Sequence, residues 1–386
     1  MNSDEMKVFF ALLRSAIEGN KLNSEELSDY SDNLLADMIK LSVKHDISQI
    51  LALGLKQNDL LSSENKQIEN YIIKAVFRYE RIRCDYENLC NVLERANISF
   101  LPLKGSVIRK YYPEPWMRTS CDIDILVREE DSEKAKSILV DDNGYSFKGK
   151  GSHDLSFFTP SNIHVELHYD LVEDGRVNQC TKILKNIWDN VVIRNDCEHW
   201  CEMTDEMFYF YHIAHMAKHF EDGGCGIRPL IDLWILDKID GVDVNKRNEL
   251  LEKGGLLKFA DCARKLSKVW FGNEEHDLVT KQMEDYILRG GVYGNSENRI
   301  MVHQQKKGGR FKYALSKIFI PYNVIKFHYP ILQKHRWLTP FMQVRRWCKI
   351  IFCGHLKRTT KELQYNSNIT NEDAVKMQKF LNDIGL

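Results

Sequence analysis

Residues 121–127 read Cys-Asp-Ile-Asp-Ile-Leu-Val, and this alternation constrains the fold more than any other stretch of the chain. In a β-strand successive side chains point to opposite faces, so Asp122 and Asp124 share one face, about 6.6 Å apart along the strand, and Ile123 and Ile125 share the other. The strand must therefore be half-buried, with two like charges looking into a cleft. Two neighbouring carboxylates repel each other and are stable together when a divalent cation neutralises them. A second strand, Ile-His-Val-Glu-Leu-His-Tyr (163–169), carries Glu166 on a polar face and is expected to lie beside the first. Three carboxylates on two adjacent strands would hold one or two Mg²⁺ ions, with Mn²⁺ as the substitute.

Upstream, Ile-Ser-Phe-Leu-Pro-Leu (98–103) reads as a short strand, and Lys104-Gly105-Ser106 as a turn into a helix. Glycine admits close approach of a phosphate, and a helix start offers free N–H groups to an anion. Lys104 and Arg118 would add positive charge. Leu155–Thr159 and Ile163–Tyr169 flank Pro160-Ser161-Asn162 as a hairpin. Asp131 or Ser132 starts a helix that Gly144 ends. Residues 98–171 are thus expected to form an α/β unit with a mixed sheet.

The flanks read as helical. An apolar stripe from Ile68 to Leu93 at three- and four-residue steps predicts a long helix over about 64–95, with Ser63 as its cap. Glu206–Phe220 and Arg228–Ile239 read as two more helices, and 191–203 has no clear pattern. The expected divisions are an N-terminal helical region (1–97), the α/β core (98–171), a helical domain (180–300) and a basic, aromatic helical region (301–386).

Composition excludes several classes. At 43% hydrophobic and 28% charged residues with only 8 Pro, the chain is neither low-complexity nor disordered. No run approaches the ~18 apolar residues that span a bilayer, and the acidic start is unlike a signal peptide, so the expected location is the cytoplasm. The ten cysteines suit reduced core positions. Cys197 and Cys201 around His199 make half a zinc site at best and read as buried thiols.

The net charge of −1 hides an asymmetry. Residues 1–300 hold 38 Lys and Arg against 51 Asp and Glu, while residues 301–360 hold 13 Lys and Arg and no acid. The basic segment interleaves aromatics, which suits RNA, an anionic acceptor or an acidic membrane surface. The plainer reading makes the aromatics core and turns the charges toward the acidic body. That reading is preferred here, and it predicts no binding to RNA or anionic vesicles. His212, His215 and His219 fall on one helical face, without the Glu that accompanies a metalloprotease pair, so they are expected to line a cleft without zinc. Arg228 and Asp232, four apart, suit either an ion pair within one helix or a place for Arg228 near a triphosphate. His168 shares a face with Glu166 and reads as a supporting or structural residue.

The ordered series of Leu-Pro-Leu-Lys-Gly (101–105), Arg118–Val127, Gly144-Tyr145 and Val-Glu-Leu-His (165–168) resembles the DNA polymerase β-like nucleotidyltransferase superfamily. Within it, the chain is similar to a bacterial branch known as uncharacterised nucleotidyltransferases. His215, Lys218, His219, Gly226-Ile227-Arg228, Asp232 and the Tyr329–Leu332 to Arg345 stretch match as well, so the resemblance covers about residues 70–350. It implies an α+β fold with a mixed-sheet palm flanked by helices. It also implies that Gly105 and Ser106 hold a nucleoside triphosphate such as ATP, beside which Lys104 and Arg118 are expected to bind as well, and that Asp122 and Asp124 bind metal with Glu166 as the third catalytic carboxylate. Glu166 stands where many members have Asp. The implied reaction transfers a nucleoside monophosphate to an acceptor hydroxyl or phosphate and releases pyrophosphate. The acceptor is a small molecule, sugar, RNA or protein, with nucleic acid not favoured. The competing readings are a non-catalytic module that tethers RNA or an anionic surface through 301–360, and an antitoxin or protein-modifying transferase. Asp122→Asn and Asp124→Asn are both expected to leave the fold intact.

Overall fold

The computed structural model describes residues 1–62, 65–172, 179–352 and 356–386. The expected cap Ser63 and the start at Glu64 lie outside them. Within them the long helix spans Asn70–Arg95, preceded by a single tight turn at Lys66–Glu69.

The expected mixed sheet is present. Its strands are β1 (Phe100–Pro102), β2 (Asp122–Val127), β3 (Ser146–Lys150), β4 (Asp154–Phe158) and β5 (His164–His168). They lie in the order β1-β2-β5-β4-β3, with β2 and β5 parallel and the other pairs antiparallel. The β4–β5 hairpin turns at Pro160-Ser161-Asn162, where Asn162 takes φ 69° and donates its N–H to Thr159 O at 2.9 Å. Asparagine tolerates that left-handed conformation better than most residues.

Alternation along the strands divides the chemistry between two faces. Ile123, Ile125, Val127, Leu155, Phe157, Val165 and Leu167 are buried against Ile82, Leu89 and Leu93 of the long helix and against Ala135 and Leu139. On the opposite face Leu126 joins a larger core. That core is built from helices at both ends of the chain, among them Ser3–Glu18, Ser48–Gln57, Asp205–Glu221, Arg228–Leu236, Leu257–Phe271 and Asn371–Asp383. These helices roof the polar face of the sheet and turn it into a cleft.

The unpatterned stretch 191–203 forms two short antiparallel strands, Val191–Ile193 and Cys201–Met203. Phe100 donates its N–H to His199 O at 3.0 Å, so this ribbon covers the edge that β1 would otherwise leave open. Cys201 is buried and Cys197 half-buried, and His199 Nε2 meets Asn97 Oδ1 at 3.1 Å.

The basic segment departs from expectation. Its first turns do face the acidic body, through Lys306 with Glu221 at 3.3 Å and His303 with Asp222 at 2.8 Å. Beyond that, Phe311, Phe319, Trp337, Phe341 and Phe352 are exposed, whereas Tyr313 is buried. The reason is the orientation of the Thr339–Phe352 helix, which turns polar groups inward. Gln343 donates to Ile320 O, and the Arg346 guanidinium donates to Lys317 O and Ile318 O at 2.9 and 3.1 Å. No described helix is long and apolar enough to cross a membrane.

Candidate active site

The parallel register of β2 and β5 sets Asp124 directly opposite Glu166, and Asp122 opposite His164. The three carboxylates line a cleft of about 870 Å³, which Lys104, Gly105, Arg118, His168, His215 and His219 also line. Among the described residues two groups of three side chains bring ligand atoms within 4.8 Å of one another: Asp122, His164 and Glu166, and Asp124, Glu166 and His168. The donors are mostly hard carboxylate oxygens, which fits a hard divalent cation better than a thiophilic metal.

Lys104 directs its Nζ to Asp124 Oδ1 at 2.8 Å and to Glu166 Oε2 at 3.9 Å. It reaches them from a backbone at φ 46°, a conformation that costs a non-glycine residue roughly 1–3 kcal/mol and that tends to persist at functional sites. His168 Nε2 donates to Asp124 Oδ1 at 2.9 Å and lies 3.5 Å from Glu166 Oε2. Burial opposes ionisation of Asp124, but the Lys104 ammonium and the His168 hydrogen bond outweigh it and hold the carboxyl well below the ordinary range. The His168 hydrogen bond likewise lowers Glu166, against burial. Asp122 moves the other way: burial, and then the Asp124 charge, raise it. The two aspartates are therefore unequal. Asp124 carries a settled charge inside the protein, and Asp122 carries the repulsion that a bound cation would relieve.

The structure separates some residues that the sequence grouped. Gly105 lines the cleft, and a Cβ there would meet Ser120 Cβ at 3.3 Å, so its small size also lets the turn pack on the loop leading into β2. Ser106 lines a second cavity of about 590 Å³ with Pro102, Lys110 and Trp200, and its N–H is already donated to Leu103 O at 3.1 Å. Arg118 reaches the cleft wall but gives its guanidinium to Asp232, with Nε–Oδ1 at 2.7 Å and Nη2–Oδ2 at 2.9 Å. The ion pair between Arg228 and Asp232 does not form. Arg228 instead donates to Asp46 Oδ2 at 2.9 Å and to Thr119 O at 3.1 Å. His212 Nε2 meets Pro229 O at 3.0 Å, while His215 and His219 pair at 3.3 Å, which breaks up the three-histidine face.

Sequence reasoning missed Arg109, His45 and Asp46. Arg109 is buried and donates to Gly105 O and Ser120 Oγ, both at 2.7 Å, tying the turn to the loop before β2. Its position four residues after Gly105, directly behind the apolar pair Val107-Ile108, was the available signal. His45 and Asp46 lie about 75 residues upstream of Asp122, and nothing local marks them.

Across its middle the chain matches a family model. The model, described as an uncharacterised nucleotidyltransferase, covers residues 34–272. The chain belongs to that family. It is a transferase of nucleotidyl groups, and among the described residues its carboxylate cluster brings together side chains that could hold a metal ion. No curated protein and no solved structure matches the chain. The match begins well before the α/β unit, in agreement with helices that contribute to the same core. It ends before the basic segment, so the Tyr329–Leu332 and Arg345 stretch lies beyond the matched residues.

The cleft wall also contains a pH-sensitive contact. His45 is fully buried, and its Nδ1 accepts from Ile227 N at 3.3 Å. Burial, helped by the Lys44 charge, depresses its pKa to about 4. Because the folded value lies below the unfolded one, this contact supports the fold fully above about pH 6.5 and is lost as pH falls toward about 4. Between pH 7 and pH 4.5 the wild type should lose about 2 kcal/mol more stability than His45→Asn, measured as urea midpoints. Equal losses in both proteins would show that the histidine is not buried neutral.

Proposed function

We propose that this nucleotidyltransferase moves a nucleoside monophosphate from a Mg²⁺-bound nucleoside triphosphate to an acceptor hydroxyl or phosphate and releases pyrophosphate. The observation that carries this reading is the register of Asp124 with Glu166, with Asp122 one pleat away and the Lys104 ammonium between the strands. Asp122, Asp124 and Glu166 would hold the cation, which would offset charge on the phosphoryl oxygens and acidify the acceptor. Lys104, beside Asp124 and Glu166, would meet the phosphates of a nucleotide held at those carboxylates. Gly105 allows the triphosphate to approach the backbone closely. The acceptor oxygen attacks the α-phosphorus, the bond to the β-phosphate oxygen breaks, and pyrophosphate leaves. Glu166 is more exposed than Asp124 and is kept ionised by His168, so it takes the acceptor's proton. His168 orients both carboxylates through its Nε2–H.

A panel of nucleoside triphosphates, scored by calorimetry with and without Mg²⁺ and by pyrophosphate release, tests this reading. At least one triphosphate should bind only with the metal. Glu166→Gln should lower turnover by about a hundredfold or more while changing nucleotide affinity much less. If no triphosphate binds, or if Glu166→Gln turns over like the wild type, the reading fails.

A further inference from the structure

We propose that the basic C-terminal segment docks on an anionic lipid surface, with the Thr339–Phe352 helix lying in the plane of the headgroups. A helix on a soluble body normally buries its apolar stripe and exposes its charges. This helix leaves its apolar stripe exposed. Phe341, Val344, Ile351 and Phe352 recur on one face at helical spacing and are 62%, 52%, 54% and 82% exposed. Arg345 and Lys349 border that stripe and are exposed too. The opposite face is occupied by Gln343, Arg346 and Trp347, which hydrogen-bond to the main chain of residues 317–320. That orientation is therefore fixed by polar contacts on the inside.

The neighbouring Arg310–Ile318 helix repeats the pattern, exposing Phe311, Leu315 and Ile318 at i, i+4 and i+7. Its C-terminal end meets the first helix where Phe319 packs on Trp347, ring centroids 5.3 Å apart.

Charge selects the occupant. Residues 301–360 hold 13 Lys and Arg and no acid, so the partner is anionic. Apolar stripes bordered by basic residues suit the boundary between lipid headgroups and acyl chains, where basic side chains meet anionic headgroups and apolar ones enter the hydrocarbon. RNA would use aromatic faces and cations but has no use for exposed Val344, Ile351, Leu315 and Ile318. A second copy would set one acid-free basic segment against another. With no described helix able to span the bilayer, the contact is peripheral.

The full chain, sedimented at physiological salt with vesicles of phosphatidylcholine and phosphatidylglycerol, tests the proposal against vesicles of phosphatidylcholine alone. The protein should pellet with the anionic vesicles only. Phe341→Ser with Val344→Ser should weaken binding about tenfold or more, and Arg345→Ala with Lys349→Ala by a similar factor. All four side chains are exposed, so thermal melting should not move. Absence of binding overturns the proposal, and so does binding that survives the apolar double substitution, which would be adsorption by charge alone. Salt-sensitive binding of single-stranded RNA that displaces the vesicles overturns it as well. So does a dimer, seen by light scattering, that Phe341→Ser dissociates.

Discussion

Asp122→Asn and Asp124→Asn should each reduce nucleotidyl transfer by about a hundred- to a thousandfold, and should move stability in opposite directions. Sequence reasoning expected both to leave the fold untouched, since both side chains face the cleft. The structure distinguishes them. Asp122 is pushed toward protonation by burial and by the neighbouring Asp124 charge, so an amide there removes repulsion. Metal-free stability should hold or rise by up to about 1 kcal/mol. Asp124 is buried, pairs with Lys104 at 2.8 Å and accepts from His168 at 2.9 Å. An amide there leaves Lys104 with only Glu166 at 3.9 Å and forces His168 to find another acceptor. The cost should be about 2 kcal/mol, less than for a fully buried pair because Lys104 keeps some solvent. Urea denaturation without metal, beside pyrophosphate release with it, measures both effects. Equal destabilisation by the two substitutions would show that Lys104 does not anchor Asp124, and wild-type turnover in either would remove the carboxylates from the chemistry.

The largest stability effect is expected at Arg118 and Asp232. Their side chains are 10% and 0% exposed, they pair through two hydrogen bonds, and Tyr112 adds a third to Asp232 at 2.6 Å. Removing one charge leaves the other buried and unpaired, so Arg118→Met and Asp232→Asn should each cost about 3–5 kcal/mol. Arg118→Met with Asp232→Leu should cost clearly less than the sum, because neither charge is then stranded. Arg118 also begins the loop into β2, and its Nη1 donates to Thr119 O at 2.7 Å, so the single variants should weaken nucleotide binding by misplacing Asp122. A double-mutant cycle by chemical denaturation decides the matter. If Arg118→Met costs under about 1 kcal/mol yet abolishes nucleotide binding, the guanidinium binds the nucleotide directly and its pairing with Asp232 is secondary.

Much of the site was legible because its signals are local. Alternation in 121–127 and 163–169 follows from the two-residue repeat of a strand, which assigns Asp122, Asp124 and Glu166 to polar faces before any partner is known. Apolar residues at three- and four-residue steps placed the C-terminal end of the Asn70–Arg95 helix, and the Asp205–Glu221 helix was read to within one residue at each end. The hairpin at Pro160-Ser161-Asn162 followed from turn chemistry.

Other features have no local signature. Val191–Ile193 and Cys201–Met203 are only three residues each and exist as strands because they pair with each other, with one bridge from Trp200 to Phe100 of β1. The basic segment was legible as helical, but the inward face of its Thr339–Phe352 helix depends on carbonyls some twenty to thirty residues away. Arg228 lay four residues from Asp232 and chose Asp46, 182 positions distant, while Asp232 took Arg118, 114 positions distant. By itself, then, the sequence determined which residue types share a face, since face is a property of backbone repeat. The tertiary structure alone decided which charges meet and which stripes face water, because those follow from packing between segments far apart in the chain.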